Sequence, residues 1–121
     1  MHTVIPKTVF IAHPVNGDVK SNVKKVLKIC KEAHSASIIP VAPYLGTLQY
    51  LDDADAESRQ LGIQANMECF HRKYIDELWL YGDYISPGMW QEIQRAMTLG
   101  IPIVPQSDGT KRDLAASYQV E

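Results

Sequence analysis

Two cysteines in 121 residues are too few for a disulfide-stapled scaffold. Cys30 and Cys69 both fall at apolar positions of expected helices, which suits free thiols buried in a reducing compartment. Neither they nor His2, His13, His34 and His71 stand at metal-ligand spacing, so no metal and no cofactor are expected. No apolar run approaches the roughly 20 residues that a bilayer demands. The opening Met-His-Thr-Val-Ile-Pro-Lys does not read as a secretory leader either, so the expected setting is cytoplasmic and away from membranes. Charge of one sign is also scarce. Twelve basic residues face fourteen acidic ones, for a net charge of -2. Lys20, Lys24, Lys25, Lys28 and Lys31 share the outer face of one helix instead of forming a basic patch, so no nucleic acid polymer is expected as a partner. What is present is ordinary: 45% hydrophobic and 21% charged residues, enough for the core of a single globular domain spanning 1–121.

The pattern along the chain alternates strands with helices. Thr8–Ala12 is a short, β-branched apolar run, as a strand buried on both faces requires. It stops at His13-Pro14-Val15-Asn16-Gly17-Asp18, a loop by its turn residues. A helix is expected from Asp18 or Val19 to His34, with Val19, Val23, Val26, Leu27 and Cys30 at helical spacing. Ser37–Ala42 reads as a second strand, and Pro40 places it at a sheet edge because proline cannot donate to a ladder. The stretch 43–53 is a long connection rich in aromatics, a type that tends to carry function. A second helix follows from Asp53 or Asp55 to Arg72, its acidic start complementing the helix dipole. Ile75–Tyr81, Pro87–Leu99 and Ile101–Val104 then read as strand, helix and strand, with Gly100 as the helix stop. Residues 105–113 read as polar turn, and Leu114–Val120 as a short helix or an edge strand. This alternation predicts a Rossmann- or flavodoxin-like three-layer α/β domain with four or five parallel strands in the order 2-1-3-4. The crevice of such a sheet opens between strands 1 and 3, which sets the His13–Asp18 loop beside the Asp83–Met89 loop.

The residues of that crevice are the candidates for function. Ser86 is a natural N-cap and Pro87 a natural first helical residue. The N–H groups of Gly88, Met89 and Trp90 would then be free for an anion. Gly88 itself weakens a helix start unless something approaches its backbone. At about 100° per residue, Met89, Ile93, Ala96 and Met97 form the buried stripe. Glu92 falls about 60° from Met89, on the flank of that stripe. A carboxylate there, under a loop, is partly desolvated and its pKa should rise, as a nucleophile or general base requires. The competing reading is a surface glutamate paired with Arg95. Arg59 suits a phosphate or a pair with Asp55, and Tyr44 and Tyr50 suit stacking on a base or local packing. Asp52 and Asp53 suit ribose hydroxyls, or one of them caps the helix. Asn16 and Asn22 lie close to the crevice. His13 more often belongs to the scaffold in such a position, Trp79 reads as core, and Trp90 as an exposed contact for another subunit.

Three segments together carry a resemblance: Val-Phe-Ile-Ala-His-Pro, Asp-Glu-Leu-Trp-Leu-Tyr-Gly-Asp, and Ile-Ser-Pro-Gly-Met-Trp-Gln-Glu-Ile with its Gly-Ile-Pro ending. In these the chain, from about Thr8 to Val104, resembles the nucleoside 2-deoxyribosyltransferase-like superfamily. More narrowly it is similar to small, mostly uncharacterised proteins of bacteriophages and their bacterial hosts, which share a middle block like Pro43–Leu45, Gln49–Asp53 and Arg59–Gly62. The resemblance implies a nucleoside or nucleotide ligand and a homo-oligomer, dimer or tetramer. It implies Glu92 as the catalytic carboxylate that attacks the anomeric carbon and holds the sugar covalently, and Asp83 as the acid that helps the base depart. His13, Pro14, Asn16, Asn22, Tyr44, Asp52, Asp53, Arg59, Ser86, Gly88 and Met89 are the ligand-binding candidates. The tail lacks the asparagine-bearing segment that those transferases lend to a neighbouring subunit. An enzyme of N-glycosidic bonds and a non-catalytic protein that sequesters a signal nucleotide are therefore both open.

Overall fold

The computed structural model describes residues 5–52 and 54–117. Four strands, β1 (Lys7–Ala12), β2 (Ile38–Val41), β3 (Glu77–Leu80) and β4 (Ile103–Pro105), form one sheet. All its pairs are parallel and its order is β2-β1-β3-β4. That is the expected three-layer α/β arrangement with four strands. β1 sits between two neighbours, and Val9, Phe10, Ile11 and Ala12 are accordingly solvent-free, the pattern of a strand covered on both faces.

Five helices connect and cover the strands: α1 (Val19–Ala33), α2 (Tyr44–Thr47), α3 (Ala56–His71), α4 (Pro87–Leu99) and α5 (Asp108–Ser117). Right-handed crossovers place α1 on one face and α3 with α4 on the other. α1 starts on Asp18, whose side chain accepts from the Ser21 amide at 3.1 Å, and α3 on Asp55, which accepts from Ser58 at 3.0 Å. α4 starts on Ser86 with Pro87 at its first position and ends on Gly100 at φ 72°, in the left-handed region that glycine tolerates. The core joins these layers: Phe10 packs on Phe70 with ring centroids 4.9 Å apart and faces Tyr44 at 6.3 Å.

Several expectations need correction. The 43–53 connection contains a one-turn helix, α2, that buries Tyr44 and Thr47. The polar stretch after Pro105 is turn only to Ser107, whose hydroxyl accepts from the Thr110 amide at 3.3 Å and starts α5 at once. The 114–117 part of the tail is thus helical, and 118–120 lies outside the described residues. Met97, expected in the buried stripe of α4, is 58% exposed, while Glu92 takes a place inside. Leu27 of α1 is exposed as well. Trp90 is half-buried and packs against the core instead of standing out as a contact.

α5 is tied to the loop between β3 and α4. Ser107 Oγ donates to the Gly82 carbonyl at 2.6 Å, and Arg112 Nη2 donates to the Asp83 carbonyl at 3.1 Å. The Ile85 amide donates to Asp113 Oδ2 at 2.9 Å. Gly109 lies so close that a Cβ there would stand 2.0 Å from the Asp83 oxygen. On the other side of the loop, Gly82 has φ 100° and an added Cβ would meet Pro14 Cδ at 2.6 Å. These contacts fix the loop directly beside the end of β1, where Ala12 pairs with Leu80.

Candidate functional site

A cavity of about 320 Å³ opens at this switch point. Its walls come from the end of β1 (His13, Val15, Asn16), from α2 (Tyr44, Thr47) and the Leu48 that follows it, from α3 (Arg59, Gly62, Ile63, Asn66), and from Ser86 with the first turns of α4 (Pro87, Gly88, Met89, Gln91, Glu92). The volume is in the range of small-molecule sites, and the lining is the usual mixture of apolar walls with a few polar groups.

Glu92 is the exceptional residue. Its side chain enters the cavity wall at 7% exposure, and among the described residues it makes no hydrogen bond or ion pair. Arg95, the alternative partner, lines a shallow outer groove between α3 and α4 instead. Burial alone pushes the Glu92 carboxyl from 4.5 up to about 8, because desolvation penalises the charged form. At neutral pH the group therefore rests protonated. Tyr44 is packed close to Glu92. Burial first, and the neighbouring carboxyl second, hold its phenol well above the ordinary range. Its hydroxyl donates to the Ile11 carbonyl at 2.5 Å.

His13 stands at the junction of this cavity and a second hollow of about 220 Å³. Its Nδ1 lies 2.6 Å from the Pro14 carbonyl. A carbonyl can only accept, so Nδ1 carries the proton and Nε2 presents a lone pair. Burial lowers the imidazole pKa and keeps it neutral at pH 7. Asn66 Oδ1 is buried and, among the described residues, has no hydrogen-bond partner.

The structure gathers eight of the expected site residues on the main cavity: His13, Asn16, Tyr44, Arg59, Ser86, Gly88, Met89 and Glu92. Others go elsewhere. Asp83 is exposed and lines the second hollow with Pro14, Asn22, Lys25, Gly82 and Tyr84, because α5 holds the loop by its backbone. It does not share the cavity of Glu92. The Asn22 amide is committed to the Val15 and Asn16 carbonyls at 3.1 and 3.3 Å, so it shapes the first loop. Asp52 lines none of these hollows and accepts from the Ala54 amide at 3.0 Å as a turn residue; Asp53 lies outside the described residues. Tyr50 is exposed on the surface. The anion site expected at the start of α4 is reduced to one donor. Met89 N–H bonds to Ser86 Oγ at 3.3 Å and Trp90 N–H to the Ser86 carbonyl at 3.0 Å, leaving Gly88. No atom lies within 4 Å of a Cβ added at Gly88, so its face is open to the cavity side of the helix start.

Asn66, Gln91 and Thr47 are polar wall residues that the sequence reading missed. For Asn66 a signal existed, an amide among Ile63, Met67 and Phe70 on a helix face that packs inward.

Residues 7–106 match the family described as a domain of unknown function (DUF7768). The chain belongs to that family. Every wall residue of the cavity lies inside the matched DUF7768 stretch, whereas α5 lies beyond it. No curated protein matches the sequence. A crystal structure of a conserved protein from Enterococcus faecalis V583 is similar to this DUF7768 member at a TM-score of 0.56, over 96% of this chain and 77% of that one. With 18% identity it speaks to the fold alone.

Proposed function

We propose that this DUF7768 protein binds a nucleoside or nucleotide in the Glu92 cavity and cleaves or transfers its N-glycosidic bond, with Glu92 as nucleophile. One observation carries the reading: a carboxyl nine-tenths buried, without a partner among the described residues, in the wall of a cavity of ligand size. Such a group costs stability when it ionises, which an inert scaffold has no reason to keep. An oxocarbenium-like sugar is the counter-charge that would stabilise its anion in the transition state and not before. His13, whose neutral imidazole lines both hollows, is the wall residue that could take a proton from a water or an acceptor hydroxyl.

The placement of Asp83 favours a second reading. With that acid in the adjoining hollow, the cavity offers no second carboxylate among the described residues for a departing base. A non-catalytic protein that sequesters a nucleotide needs none. Incubation with a panel of nucleosides and nucleotides, followed by chromatography, separates the two. Free base that appears with the parent and vanishes in Glu92→Gln supports the enzyme. Intact nucleotide retained through gel filtration supports sequestration. A panel in which nothing binds and nothing is cleaved removes both.

A further inference from the structure

Resting on the N-glycosidic reading, we infer that the ligand of this cavity carries a permanent positive charge on its base, as an N-glycoside of a pyridinium or N-alkylated azole does. Two polar side chains in the wall, Glu92 and Asn66, have no hydrogen-bond partner among the described residues. Glu92 is 7% exposed, and Asn66 Oδ1 is the buried oxygen left without a partner among the described residues. A cation beside them supplies what both lack: it makes the ionised carboxylate favourable where the empty cavity does not.

The groups around Glu92 give a second, independent reason. A neutral purine or pyrimidine leaves a sugar far more readily when a proton or a strong hydrogen-bond donor offsets the charge that builds on it. From α2, the Tyr44 hydroxyl donates to the Ile11 carbonyl. From the end of β1, His13 is held neutral by burial, with its only proton on Nδ1 directed at Pro14. From α3, Arg59 lines the wall as a permanent cation. On α4 itself, Ser86 and Gln91 are the polar neighbours in the wall, and Asp83 lies in the other hollow. None of these is an acid poised to give up a proton, and Glu92 cannot be both acid and nucleophile in one step.

A cationic base removes the need. A carboxylate oxygen of Glu92 bonds to the anomeric carbon while the bond from that carbon to the ring nitrogen breaks. The electron pair stays on the nitrogen, cancels its charge, and the base departs neutral without a proton. Water then opens the glycosyl ester: its oxygen bonds to the anomeric carbon, the bond to Glu92 breaks, and the carboxylate is restored. One proton goes to solvent. Binding has its own signature, since a cation that ionises a protonated Glu92 expels that proton on arrival.

The test titrates the protein at pH 7 with nicotinamide mononucleotide and with its reduced dihydropyridine form, which has nearly the same shape and no ring charge. Adenosine and thymidine monophosphates serve as neutral-base controls. Calorimetry in two buffers of different ionisation enthalpy reports proton release, and chromatography reports free base. The oxidised form is expected to bind at least about tenfold tighter than the reduced form and to expel about one proton per site. Glu92→Gln should lose both the preference and the proton. Equal affinity for the two forms, or binding of the oxidised form without proton release, overturns the inference. If the neutral-base nucleotides nonetheless bind or lose their base, the N-glycosidic reading survives alone; if none of the four ligands binds, both are overturned.

Discussion

Replacing Glu92 by glutamine is expected to change how stability depends on pH more than it changes stability at any one pH. Burial raises the Glu92 carboxyl from 4.5 to about 8. Between those values the folded chain holds a proton that the unfolded chain has released. Stability from this group is therefore whole below pH 4.5, falls as pH rises, and is lost once pH passes about 8. At about 1.4 kcal/mol per pH unit, the full span is on the order of 5 kcal/mol, comparable with the whole stability of a small domain. His13 acts in the opposite direction. Burial lowers its pKa below 6.5, so its contribution is present above pH 6.5 and is lost as pH falls through the folded value. The parent should thus be most stable in mildly acidic solution, whereas Glu92→Gln should keep only the His13 decline on the acid side. Urea unfolding followed by fluorescence of Trp79 and Trp90, at intervals from pH 5 to pH 9, measures the difference. With a urea dependence of about 1–3 kcal/mol per molar, the parent midpoint should fall relative to the variant by about 1–4 M across the range. Parallel profiles would refute the reasoning, because they would mean that the carboxyl is hydrated or already paired. The nucleophile proposed for the cavity would then lose its rationale.

Three further outcomes test the surroundings of the site. Gly109→Ala should destabilise the chain by about 1–3 kcal/mol and move the 82–86 loop, since the new methyl would overlap the Asp83 backbone; an unfolding midpoint equal to the parent's would contradict that contact. Ser86→Ala should cost about 1 kcal/mol through the lost cap of α4, with Ser86→Gly only a few tenths, readable in the same urea titration. Asn66→Leu should be neutral or stabilising by up to about 1 kcal/mol, because it removes an orphaned buried oxygen, and it should weaken any ligand that binds in the cavity. A large loss of stability in Asn66→Leu would show that the amide has a partner within the protein.

The sheet was legible because its signals are local. Val9–Ala12 and Leu78–Leu80 are short apolar runs that only a covered strand explains, and the single helices between them dictate the order of strands. Glu92 was only half legible: its spacing from Met89 set it on the flank of the core stripe and left a surface pair with Arg95 open, and the packing of α4 buries it. The errors share a different cause. α5 has hardly any apolar face at its start, and it is held by hydrogen bonds to the 82–85 backbone that no periodicity records. Those same bonds direct Asp83 away from the Glu92 cavity, so its misplacement and the missed helix are one error. Asn66 had a weak signal, an amide beside Ile63, Met67 and Phe70, but α3 separates its apolar and polar faces poorly, and the cavity that gives the amide a role is completed by α2 and α4. Met97 stays outside because the buried arc of α4 runs from Glu92 through Ala96 and Met89 to Ile93, while Trp90 is half-buried against the core.

The two outer strands of the sheet each contain an imino acid: Pro40 in β2, opposite Val9, and Pro105 at the end of β4, opposite Leu80. β2 is four residues long and β4 three. Borders this short, each missing an amide hydrogen, are poor templates for a further chain to zip onto. Neighbouring molecules are thereby discouraged from fusing into a continuous ribbon, and any further association would fall to the helical layers, one of which frames the mouth of the cavity.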